Sequence, residues 1–273
     1  MKAISLHSIV PLRAEAREGS EQETQMLFGE LCEITDELKN GAGYGHWYRV
    51  RLEEDGQEGW VDAKMITPMT DKEYLAYREE LKSAAIVVYP MVYAVSENNG
   101  QTIPLTAGTR LTKYTEGRFE VLGVGFRIDA AMVETKPMEL TQPNLLQVIR
   151  FFLNVPYLWG GKNALGMDCS GFCQIIMSIF GKSLPRNASE QICCGNPVTR
   201  LEDAQAGDLV FFDHKDKKIS HVGILLDHER VVHCSGRVKV EKIDHKGILS
   251  VEFADNTHPD GQYTHHTAAI RRV

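Results

Sequence analysis

A cysteine at the start of a predicted helix is the first candidate for chemistry in this sequence. Cys169 lies in the stretch GMDCSGF at residues 166–172, and apolar residues follow it at helical spacing. Asp168 is a suitable N-cap, so Cys169 should occupy the first helical turn, where unpaired N–H groups and the helix dipole favour a thiolate. Ser170 and Gly171 leave room for a substrate to approach the sulfur. From this stretch alone, a reactive nucleophile and a buried structural cysteine are equally open.

Two histidines on neighbouring predicted strands could supply the base. His221 lies in SHVGILL and His233 in RVVHCSG, and the polar stretch DHER separates the two segments. A symmetric hairpin centred near residue 227 would place these residues directly opposite each other, with Cβ atoms about 5 Å apart. One imidazole can then accept the thiol proton while the other holds its second nitrogen. The remaining histidines are predicted to be surface or loop residues: His7, His46, His214, His228, His245, His258, His265 and His266.

Metal binding and disulfide formation are the alternatives for these side chains. Cys169 or Cys234 could join the two histidines in a zinc site, but no close C-x-x-C or H-x-x-x-H pair supports one. The six cysteines fit no dense disulfide framework, and a chain of 273 residues does not need one. We therefore expect reduced cysteines, no metal and no cofactor.

Composition and charge limit the partners. The 43% hydrophobic content allows buried cores, and a formal net charge of −7 disfavours nucleic acid and anionic membranes. A small molecule or another protein is the expected partner, and the chain is expected to be a monomer. His7, Ser8 and Arg13 interrupt any apolar core near the N-terminus, and no later stretch approaches the about 20 apolar residues that span a bilayer. The expected location is the cytoplasm, with export as the alternative if a signal sequence was removed.

Strand patterns dominate the first half of the chain, and a helical pattern begins after Pro137. The weak recurrence of GELCEITDE as GTRLTKYTE predicts two small β-barrels, over residues 1–68 and 69–137. A helix in TDKEYLAYREELKS should join them. The stretch TQPNLLQVIRFFLN predicts an amphipathic helix that strands follow, so residues 138–273 are expected to form an α+β domain.

Five ordered blocks in the second half resemble the NlpC-type cysteine peptidases, papain-like enzymes that cleave cell-wall peptides. These blocks are VPYLWGGKNALGMDCSGF, LPRNASEQ, AGDLVFF, SHVGILL and VVHCSG. In the first half, SEQETQMLFGE and DGQEGWV look like parts of bacterial SH3-like domains. The resemblance implies a papain-like α+β catalytic domain preceded by two small SH3-like β-barrels. Within this family the arrangement is most similar to the γ-D-glutamyl-L-diamino-acid endopeptidases, the dipeptidyl-peptidases VI.

The resemblance also implies roles for particular residues. Cys169 becomes the nucleophile, His221 the base and His233 the orienting residue, which agrees with the assignment from spacing. Tyr157 would help to stabilise the oxyanion, where one well-aimed donor can lower the barrier by about 3 kcal/mol. The residues expected to contact substrate are Asp168, Ser170, Trp159, Glu21 and Asn187. Ordinary aromatic packing is the alternative for Tyr157 and, more strongly, for Trp159, and a solvated surface charge is the alternative for Glu21.

The implied substrate is a short murein peptide with a free N-terminal L-alanine, cut between the γ-carboxyl group of D-glutamate and a diamino acid such as meso-diaminopimelate. The first SH3-like domain would close one end of the cleft, and Glu21 would pair with the peptide ammonium. Two positions depart from the family pattern: Asn187 stands where relatives often have aspartate, and Gln57 where an aromatic residue is common. A non-catalytic cell-wall-peptide binding protein, and an amidase or acyltransferase with the same triad, are the alternatives.

Overall fold

The chain divides into two compact units in a computed structural model that describes residues 1–39, 45–213, 218–254, 257–259 and 261–273. Unit 1 comprises Met1–Pro137 and Trp159–Ala164, and unit 2 comprises Met138–Leu158 and Leu165–Val273. Within the described residues, no helix is both long enough and apolar enough to cross a bilayer.

The first part of unit 1 is an antiparallel sheet of seven strands. They are β1 (Lys2–Ile4), β2 (Ile9–Arg13), β3 (Gln22–Leu27), β4 (Leu31–Lys39), β5 (His46–Leu52), β6 (Glu58–Asp62) and β7 (Thr67–Met69). Their order in the sheet is β3-β2-β6-β5-β4-β1-β7. Alternate residues such as Val10 and Leu12 on β2 are fully buried, so the inner face of the sheet forms a small apolar core.

A helix and two smaller sheets complete the folded elements of unit 1. The helix α1 (Asp71–Leu81) begins at Thr70, where a capping box with Glu73 satisfies two backbone N–H groups, and it is the predicted linking helix. The core around these sheets includes Phe28 and Leu31 from the first part, so the boundary near residue 68 stays a prediction. The strands of the two sheets are β8 (Ala85–Val87), β9 (Met91–Ser96), β10 (Thr102–Thr106), β11 (Arg110–Leu111), β12 (Arg118–Val121), β13 (Val124–Arg127) and β14 (Val133–Glu134). Unit 1 also contains the short strand β15 (Lys162–Asn163).

Unit 2 places helices before a sheet, as predicted for an α+β domain. Its helices are α2 (Gln142–Ile149), α3 (Cys169–Ile179) and α4 (Ala188–Gln191). Its strands are β16 (Gly166–Met167), β17 (Asn196–Val198), β18 (Leu209–Asp213), β19 (Ile219–Leu225), β20 (Arg230–Ser235), β21 (Arg237–Asp244), β22 (Gly247–Ser250) and β23 (Gln262–Arg272). The sheet order is β17-β23-β18-β19-β20-β21-β22, and β22 also pairs with β23, so the antiparallel strands close on themselves.

The central helix of unit 2 is α3. Ten of its eleven residues are buried, because the sequence CSGFCQIIMSI is apolar around nearly the whole helix. The helix packs against β19 and β20, the two strands that carry His221 and His233. The fold therefore brings the start of the cysteine helix to the histidine hairpin.

Candidate active site

The nucleophile candidate, Cys169, lies in the first turn of α3, as predicted. Asp168 is the N-cap, and one of its carboxylate oxygens accepts the Gly171 N–H at 2.7 Å. Cys169 is 6% exposed, and its sulfur accepts hydrogen bonds from the backbone N–H groups of Val222 and Ser170. Val222 is the residue after His221 on β19, so the strand that carries the candidate base lies against the sulfur.

The thiol of Cys169 is less acidic than its place on the helix suggests. Burial first, and then the negative charge of Asp168, raise the pKa of Cys169 to about 11. The two backbone N–H groups and the charge of Arg186 lower this pKa by less. The Ser170 N–H at the helix start therefore does favour the thiolate, but its effect on the pKa is smaller than that of burial. Near neutral pH the sulfur is a thiol, and a base must take its proton before it can attack.

The two histidines lie on one hairpin, but in a different register from the predicted one. His233 on β20 pairs with Gly223 on β19, not with His221. The hairpin is symmetric about residue 228 and not about residue 227, and the Leu226 N–H donates to the carbonyl of Arg230 on either side of that centre. This register moves the pairing by two residues, an even number, so both imidazoles stay on the same face. Nε2 of His221 and Nδ1 of His233 are 2.8 Å apart.

A glycine opposite His233 makes this diagonal contact possible. A Cβ atom at Gly223 would lie 3.0 Å from Cβ of His233 and 2.7 Å from a methyl carbon of Val231. Because Gly223 has no side chain, the ring of His221 can reach His233 across that position. The spacing H-x-G on β19 is a local sequence signal for the arrangement.

A buried glutamate continues the hydrogen bonds of the histidine pair. Nε2 of His233 lies 2.8 Å from Oε2 of Glu241, and both side chains are almost inaccessible to solvent. Burial alone would raise the pKa of Glu241, but hydrogen bonds from His233 and Ser250 and nearby positive charge lower it to about 2. Burial lowers the pKa of His233, against the hydrogen bond and charge of Glu241. At neutral pH, Glu241 is therefore an anion, and His233 is a neutral hydrogen-bond donor to it.

Sequence reasoning missed Glu241 because two charged residues of β21 lie on the buried face of the strand. In RVKVEKID, charged residues alternate with valines, a pattern that predicts buried valines and exposed charges. In the structure, Lys239 and Glu241 are each 8% exposed, whereas Val240 is 39% exposed. The signal that could have found Glu241 is strand pairing, since β21 places Lys239 opposite His233 and Glu241 two residues further along the same face.

A third histidine packs against the candidate base. The ring centroid of His265, on β23, lies 4.4 Å from that of His221 and 5.5 Å from that of His233. The prediction that His265 is a surface or loop residue is therefore wrong, while His214 lies outside the described residues. Among the residues that the structure describes, no three His, Cys, Asp or Glu side chains are arranged to hold a metal ion.

Asp168 and Ser170, both predicted to contact substrate, form a buried network with Arg186. Nη1 and Nη2 of Arg186 donate to the two oxygens of Asp168 at 3.0 and 2.5 Å. Nη1 also donates to the hydroxyl of Ser170 at 2.8 Å. Arg186, which is 2% exposed, was missed by sequence reasoning although it lies within the LPRNASEQ block. Both carboxylate oxygens of Asp168 are thus committed to the protein itself, and a substrate contact by Asp168 stays a prediction.

The phenol of Tyr157 is a candidate donor to a developing oxyanion. Its backbone is fixed because the Tyr157 N–H donates to the carbonyl of Gly236 at 2.9 Å. Burial first, and then electrostatic interaction with Cys169 and Asp168, raise the pKa of the phenol. The hydroxyl is therefore protonated near neutral pH and can donate a hydrogen bond. The role of Tyr157 at the oxyanion stays a prediction.

Three other residues predicted to contact substrate, Trp159, Glu21 and Asn187, lie in different local environments. In unit 1, the Trp159 carbonyl accepts a hydrogen bond from the Gln22 amide at 3.0 Å, while the Trp159 residue is 60% exposed. Glu21 is exposed just before β3. In unit 2, Asn187 precedes α4, and its side-chain amide donates to Glu190 at 3.1 Å. Their roles in substrate binding stay predictions.

A buried cysteine at a helix start, beside a pair of hydrogen-bonded histidines on the neighbouring sheet, defines a cysteine peptidase of papain-like fold. Comparison with protein families matches residues 154–254 to the NlpC/P60 family and residues 12–66 to the bacterial dipeptidyl-peptidase SH3 domain. The chain belongs to the NlpC/P60 family. This confirms the predicted family, the papain-like catalytic domain and an SH3-like domain at the N-terminus.

Individual relatives agree with this assignment. A gamma-D-glutamyl-L-lysine dipeptidyl-peptidase of Bacillus subtilis is 30% identical over 77% of this chain and 71% of that protein. Dipeptidyl-peptidase 6 of Lysinibacillus sphaericus is 25% identical over 91% of this chain and 94% of that protein. A crystal structure of an NlpC/P60 family protein from Bacillus cereus has the same fold, with a TM-score of 0.76 and 20% identity, and covers 100% of this chain and 99% of that one.

Proposed function

We propose that this peptidase hydrolyses the amide bond between the γ-carboxyl group of D-glutamate and a diamino acid in short murein peptides. The peptides carry a free N-terminal L-alanine, and the reaction releases L-Ala-D-Glu in cell-wall turnover or recycling. The observation that carries the proposal is the buried Cys169 beside the hydrogen-bonded pair of His221 and His233. The relatives named for γ-D-glutamyl-L-lysine dipeptides support the choice of bond.

One imidazole, that of His221, carries out all the proton transfers of the reaction. Nε2 of His221 is engaged with His233, so Nδ1 of His221 is the nitrogen that takes the proton of Cys169. The sulfur attacks the γ-carbonyl carbon and forms a C–S bond. The C–N bond then breaks as His221 returns the proton to the leaving amine, which yields a thioester and the free diamino acid. Water, deprotonated by His221, cleaves the thioester and restores the thiol.

The proposed substrate also carries a free ammonium, which needs a carboxylate partner. The charge of Asp168 is already partly compensated, because both of its carboxylate oxygens accept hydrogen bonds from Arg186. Asn187 has no charge to offer. Glu21, exposed before β3, is therefore proposed as the residue that pairs with the ammonium.

The first test is peptide hydrolysis with a matched cysteine control. L-Ala-γ-D-Glu-meso-diaminopimelate and L-Ala-γ-D-Glu-L-Lys should each release the free diamino acid, whereas the α-linked isomers should stay intact. Cys169→Ala should lower the rate by at least about 10³-fold, because the nucleophile is lost. Cys193→Ala, at an exposed cysteine, should keep full activity. Equal hydrolysis of the α-linked isomers would contradict the proposed bond specificity.

The second test concerns the ammonium. A hydrogen bond between charged groups contributes about 1.5–3 kcal/mol, so Glu21→Gln should lower kcat/KM by about 10- to 100-fold for the free peptide. N-acetylated peptide should be a poor substrate for the wild type and no worse for the variant. Glu18→Gln, another exposed glutamate of the same loop, is the matched control and should leave kcat/KM unchanged. An equal loss of kcat/KM in Glu21→Gln and Glu18→Gln would show that Glu21 does not pair with the ammonium.

A further inference from the structure

We infer that Glu241 is a positioning residue of the active site, whose carboxylate fixes the protons on His233 and His221 so that Nδ1 of His221 can accept the thiol proton. The inference concerns the peptidase site itself. It rests on the proposed function only where a murein peptide serves as a probe.

The inference starts from two distances that join three side chains in a row. Nε2 of His233 lies 2.8 Å from Oε2 of Glu241, and Nδ1 of His233 lies 2.8 Å from Nε2 of His221. His233 is fully buried, so both of its ring nitrogens take these partners rather than bulk water. The hydrogen position between His233 and Glu241 therefore determines whether Nδ1 of His233 donates to His221 or accepts from it.

The partners of Glu241 keep it an acceptor. Ser250 donates its hydroxyl to Oε1, and Nζ of Lys239, which has donors only, lies 3.3 Å from Oε2. Lys239 is in turn held by Glu252, whose carboxylate lies 2.6 Å from Nζ. An ionised carboxylate has no hydrogen to give, so the hydrogen between Glu241 and His233 must lie on Nε2 of His233.

The position of one hydrogen then decides the next. A neutral imidazole has one N–H and one acceptor nitrogen, so His233 with its hydrogen on Nε2 must accept at Nδ1. The hydrogen between the two histidines therefore belongs to Nε2 of His221. Neutral His221 then has its lone pair on Nδ1, the tautomer that can take a proton from Cys169. The opposite arrangement, with the hydrogen on Nδ1 of His221, could not act as the base.

The same carboxylate also assists after the proton transfer. When the thiol proton moves to Nδ1, His221 becomes an imidazolium and the sulfur becomes a thiolate. His233 still accepts from Nε2 of His221 and still donates to Glu241. The negative charge of Glu241, buried together with the two rings, therefore favours the imidazolium.

The first experiment needs neither a variant of Glu241 nor a substrate. Long-range ¹H–¹⁵N spectra of the ¹⁵N-labelled wild-type protein report which nitrogen of each imidazole carries hydrogen, with assignments made from His221→Gln and His233→Gln. Both His233 and His221 should be protonated at Nε2 and unprotonated at Nδ1 near neutral pH. A wild-type spectrum with hydrogen on Nδ1 of His221 would overturn the inference, whatever peptide the enzyme cleaves.

The second experiment removes the charge. In Glu241→Gln the amide can present either its oxygen or its NH₂ group to His233, so both tautomers should be populated. kcat for the peptide and the rate of alkylation of Cys169 by iodoacetamide should each fall by about 10- to 100-fold, a size typical for the outer partners of catalytic imidazoles. KM should change little, and Glu241→Asp, which keeps the charge, should recover part of both rates. Glu229→Gln, at an exposed glutamate of the same hairpin, is the matched control.

A structural role gives a different result. If Glu241→Gln lowers the melting temperature while the tautomers, kcat and the alkylation rate match those of Glu229→Gln, the inference is wrong. A loss of peptide hydrolysis together with normal tautomers and normal alkylation would likewise refute it. If the wild type shows the expected tautomers and alkylation but cleaves no γ-linked peptide, the proposed function fails and the role of Glu241 stands.

Discussion

Replacing Arg186 by methionine should cost unit 2 a large part of its stability. The guanidinium is 2% exposed and makes hydrogen bonds at 3.0 and 2.5 Å to Asp168, whose side chain is 8% exposed. Removal of one partner from such a pair leaves an uncompensated buried charge, which typically costs about 3–5 kcal/mol. Asp168 would keep the Gly171 N–H at 2.7 Å and the Ser170 hydroxyl at 3.2 Å, so about 3 kcal/mol is expected for Arg186→Met.

The opposite variant should be more damaging. In Asp168→Asn the side chain can still cap α3, but Arg186 loses its buried anion, so the loss should approach about 5 kcal/mol. The double variant, Asp168→Asn with Arg186→Met, removes both charges and should cost less than the sum of the two single changes. The difference is the coupling energy of the pair.

The assay must separate the two units. All three tryptophans, Trp47, Trp60 and Trp159, belong to unit 1, so tryptophan fluorescence during urea unfolding reports unit 1. Hydrogen exchange at the amides of α3 reports unit 2. Arg200→Met is the control, since the side chain of Arg200 is 67% exposed and its ion pairs should contribute no more than about 1 kcal/mol. A loss for Arg186→Met no larger than for Arg200→Met, or a double variant as unstable as the sum of the singles, would refute the reasoning.

Three further predictions follow from the site. Gly223→Ala should destabilise unit 2 by about 1–3 kcal/mol and lower kcat, because the added Cβ would lie 2.7 Å from a methyl carbon of Val231. Gly19→Ala, where the nearest atom would lie at 3.5 Å, is the control and should change neither quantity. His265→Ala should lower kcat because it removes a ring whose centroid packs 4.4 Å from that of His221, whereas His265→Phe should retain activity; equal kcat values in both variants would contradict this. The pKa of Glu241 is about 2 in the folded chain and 4.5 without its partners, so its stabilising contribution is complete above about pH 4.5 and is lost towards pH 2. The melting temperature of Glu241→Gln should therefore fall less steeply across that interval than that of the wild type, and parallel curves would exclude the effect.

The parts of the site that the sequence predicted are those encoded by short-range signals. Asp168 as a cap, the helical spacing after Cys169 and the two strands around DHER each depend on neighbouring residues, and all appear in the structure. The register of the hairpin depends on the residue at the centre of its turn, which is residue 228 and not the predicted 227. The error of two residues was harmless only because it was even; an error of one would have put His233 on the opposite face of the sheet.

The residues that sequence reasoning missed depend on long-range pairing. Arg186 is separated from Asp168 by 18 residues, and His265 lies on β23, the last strand along the chain. Glu241 was hidden by its own strand, where a pattern of alternating charge predicts exposure. Strands are predicted from an alternation in which charged residues are exposed, so a buried charge such as Glu241 is not predicted by it. Its burial is understood only when its partner, His233, is known.

The buried charges have protein partners that the sequence did not predict. The sequence suggested that Asp168 and Ser170 face the substrate, but the structure engages both with Arg186 beside the nucleophile. On the side of the base, Glu241 is held among His233, Ser250 and Lys239. Because burial of a charge is tolerated only when its partners satisfy it, the protein itself holds both carboxylates in place near the catalytic residues, and a substrate contact by Asp168 stays a prediction. For the proposed substrate, an exposed carboxylate such as that of Glu21 is the first candidate for pairing with the ammonium, and Asp168 is the second to test.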